Sequence, residues 1–264
     1  MSSIQTSRRS GFTLVELMVS LGATVALLAV TYLLLQNSVK SWNRISGDQN
    51  VAGQLLRAES WLRRDLFSSS YSALDTAPGP TSLTGRDGDA IWFLSAVDPV
   101  TDQFVRNDDG TPRWQRNILY YPVVPSGVGD DFSGGGIDEG GYEVSYPYKF
   151  LVRKVIDSGV PTDPAVAATQ ETLLTDVSSY LEQPVGYNFP SGDSESVTIV
   201  ARSLLSFQIA TDDALKQVAV TIQGANTDEA RKLFPIGSRS LVNPQFLMLR
   251  QFVVHPQNRE SLVP

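Results

Sequence analysis

In this 264-residue chain the residues whose types and spacing carry chemistry sit at the start. Glu16 is the one charged residue in the mostly apolar run from Phe12 to Leu35. A carboxylate at the centre of a hydrocarbon core costs roughly 2.5–3.5 kcal/mol on insertion scales, so it persists where it has a partner or a task. Glu16 lies four residues after Phe12, and Phe12 follows Gly11. Cutting the Gly11–Phe12 bond would give Phe12 a new α-amino group and make Glu16 the fifth residue of the shortened chain. An ammonium and a carboxylate at the same membrane depth can neutralise each other between neighbouring subunits. The alternative is a carboxylate that snorkels to the membrane interface near the start of a helix.

The element that must position these groups is a helix. The run Phe12–Leu35 is 24 residues long, and about 20 apolar residues span a hydrocarbon core. Arg8 and Arg9 precede it with no acid, which favours a cytoplasmic N-terminus and places the rest of the chain across the membrane. A cleaved secretory signal would show a shorter apolar core and a small-residue cleavage site; here Thr31–Lys40 still reads as helix. A plain single-pass anchor is the simpler alternative. Helix formers continue to about Phe67 without proline, broken only by Gly47 and Gly53. Trp42, Ile45, Ala52, Leu55, Leu56, Leu62, Leu66 and Phe67 fall near helical spacing among arginines, so this second half should bury one face. Trp42, just beyond the apolar run, suits an outer interface.

The remainder predicts an α+β domain, the long helix packed on an antiparallel sheet. Ser68–Gly88 reads as a loop. Ala90–Val97, Asn117–Val124, Tyr146–Ile156, Ser203–Ala210, Gln217–Gln223 and Gln245–Val254 read as strands. The organisation expected is 1–11 as a leader, 12–35 as the membrane part of the helix, 36–68 as its extracytoplasmic part and 69–264 as one globular domain.

Other chemistry is sparse. The chain has no cysteine and a single histidine, His255. That excludes disulfides, thiolate metal sites and multi-histidine sites. His255 reads as a strand-end residue, and no G-x-S-x-G supplies a nucleophile, so no catalytic activity is expected. Asp130, Asp131, Asp138 and Glu139 lie in a glycine-rich stretch and are weak candidates for calcium, which takes six to eight oxygens; a solvated acidic loop is the plainer reading, and no cofactor is expected. Asp87-Gly88-Asp89 reads as a turn. The four tryptophans read as core or interface anchors. A net charge of −7 argues against a nucleic-acid partner.

The stretch from Arg8 to Ser20, RRSGFTLVELMVS, resembles the class III signal of type IV prepilins and type II secretion pseudopilins. The resemblance implies that a membrane peptidase cuts after Gly11 and methylates Phe12, and that Glu16 helps the subunit dock into a filament. It implies the prepilin peptidase and other pilin-type subunits as partners. It also implies an inner-membrane location with a periplasmic domain. Leu62-Arg63-Arg64-Asp65-Leu66, the strands NILYYP and FLVRK, and the Val197–Gln223 region resemble the J-type minor pseudopilin and W-type minor pilin. A role in filament initiation and protein secretion would follow. A membrane-anchored binding or enzymatic domain that shares the processing signal is the alternative.

Overall fold

A computed structural model describes residues 13–81, 85–98, 100–127, 137–144, 146–159, 169–183, 194–226 and 247–258. The chain falls into two compact units, residues 1–45 and 46–264. One helix, α1, runs Leu14–Phe67. Its apolar first part is long enough to cross a membrane and is exposed along its length. Such a stretch is stable as a helix in lipid because every backbone group bonds within the segment.

In the globular unit, α1 buries Val51, Leu55, Ala58, Leu62 and Leu66, spaced three and four residues apart on one face. They pack against a seven-stranded sheet: β1 (Leu74–Pro78), β2 (Asp89–Ser95), β3 (Arg116–Val123), β4 (Lys149–Ile156), β5 (Ser194–Asp212), β6 (Gln217–Ala225) and β7 (Leu247–Val254). Spatial order equals chain order, and every neighbouring pair is antiparallel. The sheet curls until Ser70, just before β1, bridges Asn258, just after β7. That junction also finishes the helix. The N–H groups of Gln257 and Asn258 donate to the carbonyls of Phe67 and Ser69, and Asn258 Nδ2 donates to the Ser68 carbonyl. Carbonyls at the end of a helix have no partner within it, so the tail supplies them.

Strand periodicity divides the side chains between two layers. Ile91, Phe93, Ile118, Tyr120, Leu151 and Val155 face α1. Ala90, Trp92, Leu119, Tyr121, Phe150 and Val152 face away, and residues 169–183 cover them with Leu173, Leu174 and Val177. With both faces covered, β2 is buried throughout and β3 and β4 nearly so. β6 has buried Val218, Val220 and Ile222 alternating with half-exposed residues, the pattern of a strand covered on one face.

The strand expectations hold for six runs, with shifts at their ends. β4 begins at Lys149 rather than Tyr146, and β5 extends back to Ser194. The loop expected over Ser68–Gly88 is corrected, because β1 lies inside it and pairs with β2. Its sequence, LDTAP, is too short and too poor in β-branched residues to announce a strand. The turn expected at Asp87-Gly88-Asp89 is also corrected. Asp89 opens β2, and both carboxylates are buried. A Cβ on Gly88 would stand 2.5 Å from the Phe207 carbonyl oxygen, so close backbone approach requires glycine there.

The two helical glycines differ. A Cβ on Gly47 would collide with the Asn226 side chain at 2.2 Å, whereas Gly53 has open space around it. Gly53→Ala is therefore expected to stabilise the protein by ~0.5–1 kcal/mol through helix propensity. Leu62→Ala is expected to cost about 2–5 kcal/mol. Urea unfolding of the detergent-solubilised chain measures both.

Candidate functional site

The head of α1 is ordered by Glu16 itself. The Thr13 backbone N–H and hydroxyl donate to Glu16 Oε2 at 2.9 and 3.0 Å, and the Glu16 N–H donates back to Thr13 Oγ1 at 3.3 Å. This is a capping box, T-x-x-E, with Thr13 as the N-cap and Glu16 as the third helical residue. Two otherwise unpaired donors are satisfied, and the carboxylate sits where the helix dipole favours negative charge. The carboxylate expected to act between subunits therefore already has a task within its own chain. Gly11 and Phe12 lie outside the described residues.

The other polar side chains of the apolar stretch are also satisfied locally. The Ser20, Thr24 and Thr31 hydroxyls donate to the carbonyls of Leu17, Ser20 and Leu27 at 2.8–2.9 Å. Such back-bonding removes the cost of an unpaired hydroxyl in lipid.

Asp65 occupies the buried face of α1 where only apolar residues would be expected. Two opposed strand residues, Tyr120 on β3 and Arg153 on β4, converge on it. The Tyr120 hydroxyl donates to Asp65 Oδ2 at 2.7 Å and Arg153 Nε donates to the same oxygen at 2.6 Å. Arg64 Nε reaches Oδ1 at 3.0 Å. Arg64 and Arg153 also approach the Trp61 ring, 4.3 and 5.2 Å from its centre. Burial, then the charge of Asp65, push the Tyr120 phenol well above its ordinary pKa. Burial works against the charge on Arg153, but the Asp65 carboxylate outweighs it and raises the pKa.

The opposite face of the sheet carries its own buried polar groups. Lys154 Nζ donates to the Tyr180 carbonyl at 2.7 Å and to Glu182 Oε2 at 3.0 Å. The indole N–H of Trp92 donates to the Leu174 carbonyl, and Asn117 Nδ2 to the Thr172 carbonyl. These bonds hold residues 169–183 against the sheet. Elsewhere, Lys149 of β4 and Glu143 form a fully buried ion pair, 2.9 Å apart. Burial lowers the Lys149 pKa, against the pull of Glu143. Asp89 Oδ2 accepts from the Tyr142 hydroxyl and the Ile209 N–H, both at 2.8 Å. All of these couplings hold the fold together.

Of the calcium candidates, Asp130 and Asp131 lie outside the described residues. Asp138 Oδ1 accepts the N–H groups of Gly140 and Tyr142 at 2.9 and 3.0 Å, which is local turn chemistry. Glu139 is exposed beside it. His255 lies just past β7 and is exposed.

Residues 6–32 match the family model described as the prokaryotic N-terminal methylation motif. The motif at the head of an apolar helix is consistent with the type IV pilin and pseudopilin family. It implies processing by a prepilin peptidase and assembly with pilin-type subunits, and the apolar helix fits the membrane anchor of such proteins. No curated protein and no solved structure matches the chain.

Asp65→Ala is expected to cost about 3 kcal/mol, because it leaves the largely buried Arg153 guanidinium without its carboxylate. Tyrosine in the unfolded chain ionises near pH 10, while Tyr120 in the folded protein stays protonated beyond that. The stability that Tyr120 contributes is therefore complete below about pH 10 and lost as pH rises further. In Tyr120→Phe the alkaline loss of stability should be shallower by one proton, read from urea unfolding across pH 8–11.

Proposed function

We propose that this chain is a minor pseudopilin or minor pilin, a non-catalytic subunit of a type II secretion or type IV pilus-like filament. In this reading a prepilin peptidase cuts between Gly11 and Phe12 and methylates Phe12. The inner membrane holds the subunit through residues 12–35 until assembly, with the globular domain in the periplasm. The observation that carries the reading is Glu16, a carboxylate kept inside an apolar helix at the fifth position after the cut, within the methylation motif. The likeness of the Leu62–Leu66 segment and of the NILYYP and FLVRK strands to J-type and W-type subunits supports a place at filament initiation. In the structure these same pieces supply Asp65, Tyr120 and Arg153, the groups that fix α1 on the sheet.

Glu16 then has two successive partners. In the precursor it caps its own helix through Thr13. After cleavage its charge pairs with the new α-amino group of a neighbouring Phe12, a strong interaction away from water. The two tasks separate by substitution. Glu16→Gln keeps a hydrogen-bonding group at the capping position and removes the charge; Glu16→Ala removes both. Both variants are expected to be cleaved and to lose most filament incorporation, measured by shearing and immunoblotting. Incorporation of Glu16→Gln at the normal level overturns the charge pairing.

Intact mass and N-terminal sequencing of the membrane-extracted protein test the reading as a whole. With a co-expressed prepilin peptidase the chain should begin at Phe12 and carry one added methyl group. A chain that keeps its first eleven residues beside an active peptidase points instead to an anchored binding or enzymatic domain. No cofactor belongs to this reading, so calcium is expected to leave the melting temperature unchanged. A calcium-dependent rise, abolished by Asp138→Asn, would assign a metal to the 129–141 stretch.

A further inference from the structure

A cleft of about 720 Å³ opens in the globular unit beside the end of α1. That volume lies within the ~300–1,000 Å³ of small-ligand sites. We propose that this cleft binds an uncharged oligosaccharide. The inference concerns the globular unit alone and stands apart from the processing of the N-terminus.

Three segments that are distant in sequence build the walls. They are residues 70–76 leading into β1, the β5–β6 hairpin, and residues 255–258 after β7. Each wall is fixed. The last segment is tied to the end of α1 through the Phe67, Ser68 and Ser69 carbonyls. In the hairpin the N–H groups of Ala214 and Leu215 donate to Asp212 Oδ1 at 2.9 and 3.0 Å. The Tyr71 hydroxyl donates to Asp213 Oδ1 at 2.9 Å and joins the first wall to the second. A ligand would meet a formed site and would not have to order one.

The chemistry of the lining selects the ligand class. Small-molecule sites are mostly apolar, whereas this cleft is lined in comparable measure by polar residues, among them Thr76, Thr211, Gln257 and Asn258, beside Tyr71, whose hydroxyl is engaged by Asp213. Hydroxyls and carboxamides both donate and accept, as adjacent sugar hydroxyls require. Gln257 and Asn258 each spend an amide hydrogen, on the His255 and Ser68 carbonyls, which leaves their oxygens for ligand donors. Asp75 and Asp213 share the lining with Lys216. The carboxylates outnumber the ammonium, so the cleft offers no attraction to phosphates or acidic peptides. Leu74, Leu215 and Pro256 are the aliphatic lining residues, too few to form sockets for the side chains of a bound peptide. The Tyr71 ring supplies an amphipathic surface, and Lys216 Nζ lies 5.0 Å from its centre.

The test titrates the full chain in detergent with maltotriose, cellotriose and chitotriose, with trialanine as the peptide comparison, by calorimetry and saturation-transfer NMR. At least one trisaccharide is expected to bind with Kd on the order of 1 mM or tighter. Thr211→Val and Gln257→Ala alter exposed residues and are expected to weaken that binding tenfold or more at unchanged melting temperature. Tyr71 also packs against the main core, so Tyr71→Phe, which removes only the hydroxyl, replaces truncation there. The proposal is overturned if none of the three sugars binds at ten times that concentration, or if binding survives all three substitutions. Binding of trialanine in place of the sugars overturns it equally, by assigning the cleft to polypeptide.

Discussion

A single buried carboxylate fixes how the helix meets the sheet. Asp65 lies between Leu62 and Leu66 on a face that is otherwise apolar. Its neighbours on the sheet are Tyr120 and Arg153, which stand opposite each other on adjacent strands and donate to the same oxygen. Turning α1 by one residue or sliding it by one turn would leave the buried carboxylate and the partly buried guanidinium unpaired, at a cost of about 3 kcal/mol. Other close contacts depend on this placement. Gly224 sits where a Cβ would stand 2.9 Å from Val51 Cγ1, and Gly47 faces Asn226. Apolar packing alone tolerates sliding more readily, because it is non-directional.

The same logic organises the far face. There the sheet presents Trp92, Asn117 and Lys154, each with a polar group among apolar neighbours. Residues 169–183, mostly without regular structure apart from a single 3-10 turn at Ser178–Tyr180, supply the backbone carbonyls they need. Buried polar groups require partners, and a segment outside the sheet has carbonyls to spare. The hydrogen bonds hold the segment in place while Leu173, Leu174 and Val177 close the second core layer.

At the head of α1 the physical problem is inverted. Polar groups there face an apolar surround, and each is satisfied by its own chain, the hydroxyls by preceding carbonyls and Glu16 by Thr13. In the proposed filament reading, the Glu16 charge adds a directional contact in lipid, where apolar surfaces gain nothing by meeting each other.

Local sequence determined what depends on near neighbours. The apolar run, the apolar face of α1 and six of the seven strands were all legible, because helix and strand periods are written into the order of residues. The methylation motif was legible for the same reason, since its residues are contiguous. Asp65 gave one faint signal, an acid inside an apolar stripe, but nothing in the order of residues pairs it with positions 120 and 153. β1 carries almost no propensity and exists because β2 offers it an edge. The cleft beside the end of α1 was invisible as well, since its walls come from residues near positions 71, 213 and 257. These features were decided by tertiary structure alone. Chain curl and strand order bring such groups together, and the need to pair every buried charge and donor selects among the arrangements that local preferences leave open.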